Sequence, residues 1–155
     1  MLVMATTALP QVINGILTAF QNSSDLSSVR IFDGPEIDAS YPGDFIAVGH
    51  DGTEDGTVAV SNVTQEFIQL GNLKQFEDGS VDCWLSTWDG GSSLADRRAR
   101  VATILSAVDS ALRADVSLGG ACIYSRLASH SMEYIQANNG VAISVTFTVD
   151  YRART

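Results

Sequence analysis

The sequence predicts an α+β fold, a mostly antiparallel β-sheet packed against two main α-helices in a single domain over residues 1–155. Three observations carry this expectation. Two segments, about Leu9–Gln21 and about Leu94–Ala114, repeat apolar residues at helical spacing. The closing segment alternates Val141, Ile143, Val145, Phe147, Val149 and Tyr151 with Ala142, Ser144, Thr146, Thr148 and Asp150, the period of a half-buried strand. Short β-rich runs between and after the helices are bounded by turn residues, which favours hairpin connections throughout.

In the first helix the stripe is Val12, Ile13, Ile16, Leu17 and Phe20. Pro10 is tolerated there because a first-turn N–H has no intrahelical partner anyway. Asn22-Ser23-Ser24-Asp25 ends it with side chains that compete for backbone hydrogen bonds. Val29–Phe32 and Phe45–Gly49 then read as short strands, and a longer one runs from Val58 to about Gln69, interrupted at Asn62. Gly71-Asn72 marks a break before Lys74–Phe76, and Asp78-Gly79 reads as a two-residue type I′ turn. Val81 to Trp88 alternates, with Val81, Cys83 and Leu85 opposite Asp82, Trp84 and Ser86.

The second helix opens on Ser93, with Asp96 in the capping-box position usually held by Glu or Gln. Its buried stripe is Val101, Ile104, Leu105, Val108 and Leu112, with Arg97, Arg98, Arg100 and Arg113 mainly off it. Gly119-Gly120 separates it from a strand beginning near Ala121. A further strand near Met132–Gln136 reaches the last one through the turn Asn138-Asn139-Gly140.

Charge narrows the function classes. Residues 1–95 hold thirteen acids against Arg30 and Lys74, whereas residues 96–155 hold seven arginines against five acids. Between Arg30 and Lys74 stand Asp33, Glu36, Asp38, Asp44, Asp51, Glu54, Asp55 and Glu66 with no base among them. A formal net charge of −9 argues against ordinary DNA binding, which needs cations to neutralise phosphates. It suits a wall past which DNA slides without adhering. No apolar run approaches the roughly 20 residues of a membrane span, and the N-terminus lacks the basic region and cleavage pattern of a secretory leader. The expected setting is therefore where the chain is made, or an assembly that carries it elsewhere. Cys83 and Cys122 form no metal or redox motif and read as buried free thiols, a disulfide between them being undecided by sequence.

Catalytic, cofactor-binding and metal-ligating residues are each expected to be none. Asp51-Gly-Thr-Glu-Asp55-Gly56 begins like a calcium loop, but its twelfth position is Asn62 rather than a bidentate Glu, and strands flank it. His50 and His130 have no ligand at metal-helix spacing. There is no G-x-S-x-G elbow, so nothing local exposes a serine nucleophile. Gly90-Gly91-Ser92-Ser93 lacks the lysine of a phosphate loop and reads as a capping loop. Arg97, Arg98 and Arg100 read as a solvated helix face or as the positive half of a subunit contact, with residues 33–55 as its negative half.

The segments I-F-D-G-P (31–35), P-G-D-F-I-A-V-G (42–49) and D-G-T-E-D-G (51–56), taken in this order, resemble tail terminator proteins of long-tailed (siphovirus-type) bacteriophages, particularly those of actinobacteria. The resemblance extends through the Gly71 break, the Val81–Trp88 strand ending in D-G-G, A-L-R-A-D (111–115), V-S-L-G-G (116–120) and the ending Tyr151-Arg152. It covers nearly the whole chain, and its motifs are short and structural. It implies a small α+β virion protein of the tail and neck, assembled in the host cytoplasm. Six copies would form a homohexamer ring on the tail tube, stop polymerisation of the tube protein, and offer a docking face to the head–tail connector or stopper. DNA would pass through the lumen unread, with no cofactor and no membrane involved. On this reading the loop Asp51–Gly56, with Asp51, Glu54 and Asp55, or else the loop Asp33–Asp44, is expected to face the lumen, and Arg97, Arg98 and Arg100 a neighbouring subunit. Two alternatives stay open: another neck protein, a head–tail stopper or adaptor, or a small ligand-binding or enzymatic α+β domain.

Overall fold

The computed structural model describes residues 6–34, 43–53, 60–67, 74–90, 93–137 and 140–155. The elements in chain order are α1 (Leu9–Gln21), a 3₁₀ turn (Ser24–Leu26), β1 (Arg30–Asp33), β2 (Phe45–Val48), β3 (Ser61–Phe67), β4 (Gln75–Asp89), α2 (Leu94–Ala114), β5 (Tyr124–Ala137) and β6 (Gly140–Arg154). They build the expected α+β fold, a largely antiparallel sheet of six strands with two helices. Strand order is β1-β2-β4-β6-β5, and β3 also pairs with β4. β4 gives its whole length to β6 on one edge; on the other, β3 takes its first half and β2 its second.

Both helices cover one face of the sheet. Val12, Ile16, Leu17 and Phe20 of α1 and Val101, Ile104, Val108 and Leu112 of α2 are buried there. Beneath them lie Val81, Cys83 and Leu85 of β4 and Ile143, Val145, Phe147, Val149 and Tyr151 of β6. Both helix stripes and both strand alternations therefore match the sequence pattern, except that Ile13 and Leu105 are only partly buried. Ser93 and Asp96 form the capping box reciprocally, at 3.3 and 3.4 Å, so α2 starts where its cap dictates. Loops cross the helices at one tight point. Leu118, in the left-handed region with φ 52°, is buried against Gly15, where a Cβ would come within 2.7 Å of it.

Three expectations fail. Asp78-Gly79 is not a turn: it lies inside β4, paired with β3 at Val63 and Thr64 and with β6 at Tyr151 and Arg152. Glycine is needed there because the ring of Tyr151, its cross-strand partner, lies over it. A Cβ on Gly79 would sit 2.5 Å from that ring. The second failure is the connection of β1 to β2, which pair in parallel rather than as a hairpin. The separate short strands expected near Ala121 and Met132 are likewise one strand, β5, with a register shift between Leu127 and Ser129. Gly71-Asn72 and Asn138-Asn139 lie outside the described residues.

Tyr151 crosses Gly79 to reach Glu77, which is fully buried on the same face. The Glu77 carboxylate accepts hydrogen bonds from Tyr151 Oη at 2.8 Å, Gln65 Nε2 at 2.7 Å and the backbone N–H of Ala8 at 3.0 Å. Ala8 is the N-cap of α1, whose first turn carries no acid of its own. Glu77 thus supplies from β4 the negative charge that a helix N-terminus favours. Burial by itself pushes this carboxyl upward, but hydrogen bonds from Thr7, Gln65, Tyr151 and the Ala8 amide outweigh it, leaving it below the ordinary 4.5.

Tyr151→Phe removes a hydrogen bond to a buried charge and is expected to lower unfolding free energy by about 1.5–3 kcal/mol. Gly79→Ala is expected to cost about 1–3 kcal/mol by overpacking. Because Glu77 is depressed in the folded state, its contribution is full above 4.5 and is lost as pH falls from there through the folded value. Urea midpoints measured from pH 7 to pH 3 should therefore fall more steeply for the wild type than for Glu77→Gln; parallel curves would contradict this account.

Candidate functional site

The face of the sheet away from the helices carries the polar half of each alternating strand. Its side chains pair across strands in register. Arg152 forks onto Asp78 with bonds of 2.7 and 2.9 Å, and stacks its guanidinium 4.8 Å above Phe76. That guanidinium holds the Asp78 carboxyl below its ordinary value, chiefly by hydrogen bonding. Ser80 donates to Asp150 at 2.6 Å, and Arg126 lies 3.8 Å from the same carboxylate. Ser129 and Thr148 hydroxyls meet at 2.8 Å. A depression of about 360 Å³ opens here, and all four charged side chains lining it (Asp78, Arg126, Asp150, Arg152) belong to these ion pairs.

Towards β1 the same face becomes aromatic. Phe32, Phe45, Trp84 and His50 follow one another with ring centroids 5.6, 5.2 and 5.1 Å apart, the first two contacts edge-on and the last stacked. His50 is buried, and its Nδ1 accepts the Gly52 N–H at 2.9 Å. The segment 49–53 is thereby drawn over the sheet. Gly49 and His50 both donate backbone N–H bonds to Asp82 O, at 2.7 and 3.0 Å. Gly52, with φ 86°, passes so close to Trp84 and Thr146 that a Cβ would touch both at 3.4 Å.

This geometry fixes Asp51 over the uncovered face. Its Oδ1 accepts from the backbone N–H and hydroxyl of Thr53 at 3.0 and 2.7 Å, an Asx turn. Asp82 beneath is pushed above its ordinary 3.8, first by burial and then by the charge of Asp51. The other two acids of the expected lumen-facing loop, Glu54 and Asp55, lie outside the described residues, as do Glu36 and Asp38.

The three arginines separate in role. Arg100 Nε bonds Asp44 at 2.8 Å and its Nη2 reaches Ser28 at 2.7 Å. Arg97, with a side chain only 13% exposed, lies between Asp44 at 3.8 Å and Asp89 at 3.7 Å. Both therefore find their acidic partner, in the 33–55 stretch as the charge pattern suggested, within the same chain. Asp44 precedes β2, so these pairs clamp that strand's start to the first turns of α2. Arg98 stays exposed and reaches Tyr134 Oη at 3.3 Å. The sequence concealed this clamp because Asp44 and Arg100 are 56 residues apart.

Cys83 and Cys122 are both free and buried. Burial pushes their thiols up to about 12 and about 11, with Asp115 adding to the second, so neither is a ready nucleophile. Among the described residues no group of three His, Cys, Asp or Glu side chains converges as metal ligands. No described helix is long and apolar enough to cross a membrane. No protein-family model matches this chain, and no curated protein matches it.

Asp44→Ala is expected to destabilise by about 1–3 kcal/mol, since it strands two partly buried guanidinium groups. Arg98→Ala should stay within about 0.5 kcal/mol, as exposed substitutions do; equal losses at both sites would refute the clamp. Asp82→Asn should raise the thermal midpoint at pH 7. A raised carboxyl weakens the fold once ionised, so this gain should vanish as pH falls through the folded value towards 3.8.

Proposed function

We propose that this chain is a structural protein of a long-tailed bacteriophage virion. In this reading its copies close into a ring on the tail tube, end tube polymerisation and present the head connector with a docking face. The work is done by shape and charge, with no bond made or broken. The observation that carries the reading is the uncovered sheet face. Its arginines Arg126 and Arg152 are paired with carboxylates across strands, and the segment beginning at Asp51 lies over Asp82 on the same face. A surface in which arginines are already bound to carboxylates offers little to a phosphate backbone.

Two further observations support it. The residues that carry the family resemblance have structural jobs. Gly34, with φ 56°, donates to Val48 O at 2.7 Å and ties the end of β1 to β2. Asp44 holds α2, and Gly49 holds β4. Second, acids gather in the segments that build the β1, β2 and β3 side of the sheet, whereas arginines gather in α2, β5 and β6. A ring joins two different patches of each copy, and opposite charge on the two sides of a subunit serves that contact.

Adding the purified chain to polymerising tube protein of the same virus tests the reading. Short tubes bearing a ring with an open channel at one end are the expected result; tubes of unrestrained length would overturn it. In virions carrying Asp51→Lys, Glu54→Lys and Asp55→Lys together, assembly should be normal and DNA ejection slower. Unchanged ejection would remove the acidic loop from the lumen.

A further inference from the structure

The last strand of the sheet, β5, is built unlike the others. In β4 and β6 alternate side chains are buried under the helices, but every residue from 128 to 134 is exposed, on both faces. The side turned towards α2 carries His130, Met132 and Tyr134, paired with Phe147, Val145 and Ile143 of β6. Met132 is 40% exposed and Tyr134 is 54% exposed, next to Leu94 at 39% on the first turn of α2. β5 pairs with β6 alone, so among the described residues no strand occupies its outer edge. From Ser129 to Tyr134, past the register shift at Leu127–Ser129, the strand carries neither proline nor lysine to guard that edge. A strand left open on its edge and both faces, with large apolar groups displayed, is a surface made for a partner.

We infer that the outer edge of β5, with Met132 and Tyr134 as its apolar anchors, docks against the β1–β3 side of a second copy of this chain. Charge selects that occupant. The β5 side exposes Arg98 beside Tyr134, whereas Arg126 lies 3.8 Å from Asp150 and Glu133 is the one exposed acid of the strand. The opposite side of the sheet is built by β1, β2 and β3, and the described residues of these strands and their ends hold Asp33, Asp44, Asp51 and Glu66. Its one base, Arg30, lies over the Phe32 ring at 5.5 Å. Exposed Asp33 ends β1, and exposed Glu66 lies on β3. Like edges would bring arginine to arginine; unlike edges bring arginine to carboxylate, a head-to-tail contact that repeats around an axis. The inference deepens the ring reading and rests on it for closure of that repeat.

The test uses the full chain with a benzophenone side chain at position 132, beside Met132→Arg and Tyr134→Arg variants whose folding is checked by circular dichroism. Both positions are exposed, so the fold should survive. Sedimentation across a concentration series, with and without tube ends, should show association weakened about tenfold or more in each variant. Light should crosslink position 132 to residues 30–67 of a neighbouring copy. Crosslinks to the neighbour's own β5, or association indifferent to both variants, would overturn the contact while leaving the ring reading intact. Association through β5 that never caps a tube would sink the capping function and keep the contact. A chain monomeric even with tube ends present would overturn both.

Discussion

The start of α1 and strands β3, β4 and β6 meet at one buried carboxylate. Glu77 receives the amide of Ala8 at the start of α1, the side-chain amide of Gln65 on β3 and the hydroxyl of Tyr151 on β6, while itself belonging to β4. Four separate parts of the chain therefore share two oxygens. A buried ion without a cationic partner is normally costly. Here the cost is offset by donors aimed at it and by the positive end of a helix. The arrangement also dictates its surroundings: Tyr151 must cross the sheet to reach Glu77, so position 79 must be glycine.

That constraint explains where the sequence misled. Helix limits were legible to the residue because their signals are local: an apolar stripe, a proline in the first turn and a capping box at Ser93 and Asp96. The long closing strand was legible from its alternation. Asp78-Gly79 was misread because the dipeptide has the chemistry of a tight turn, and only a tyrosine seventy-two residues away explains its presence in a strand. The parallel pairing of β1 with β2 was equally hidden, since four-residue strands carry no mark of direction. Of the candidate site, Asp51 lies over the uncovered face, and Arg97 and Arg100 have acidic partners within the chain that the sequence did not disclose. Two of the three arginines are fasteners for Asp44, and no pattern in sequence reveals so distant an ion pair.

The two faces of the sheet thus obey different rules. Under the helices the chain satisfies polar groups by converging them on one acid. On the other face it satisfies them in pairs, strand by strand, and finishes with an aromatic row beneath the segment at Asp51. The first solution gives cohesion, and the second gives a surface with few unmet charges.

The shared edge of β4 has a consequence for how the molecule forms. β3 with β4 and β5 with β6 are neighbours in sequence and pair as local hairpins, whereas β4 meets β6 across the whole of α2 and β5, and α1 is anchored to a residue 69 positions away. Closing such distances is slow, because chain entropy is spent before contacts return it. The two hairpins therefore have the means to organise early, and their union along β4 and β6, with the docking of α1, to come late. As the chain emerges from the ribosome, β4 can pair with β2 and β3 before β6 has been made.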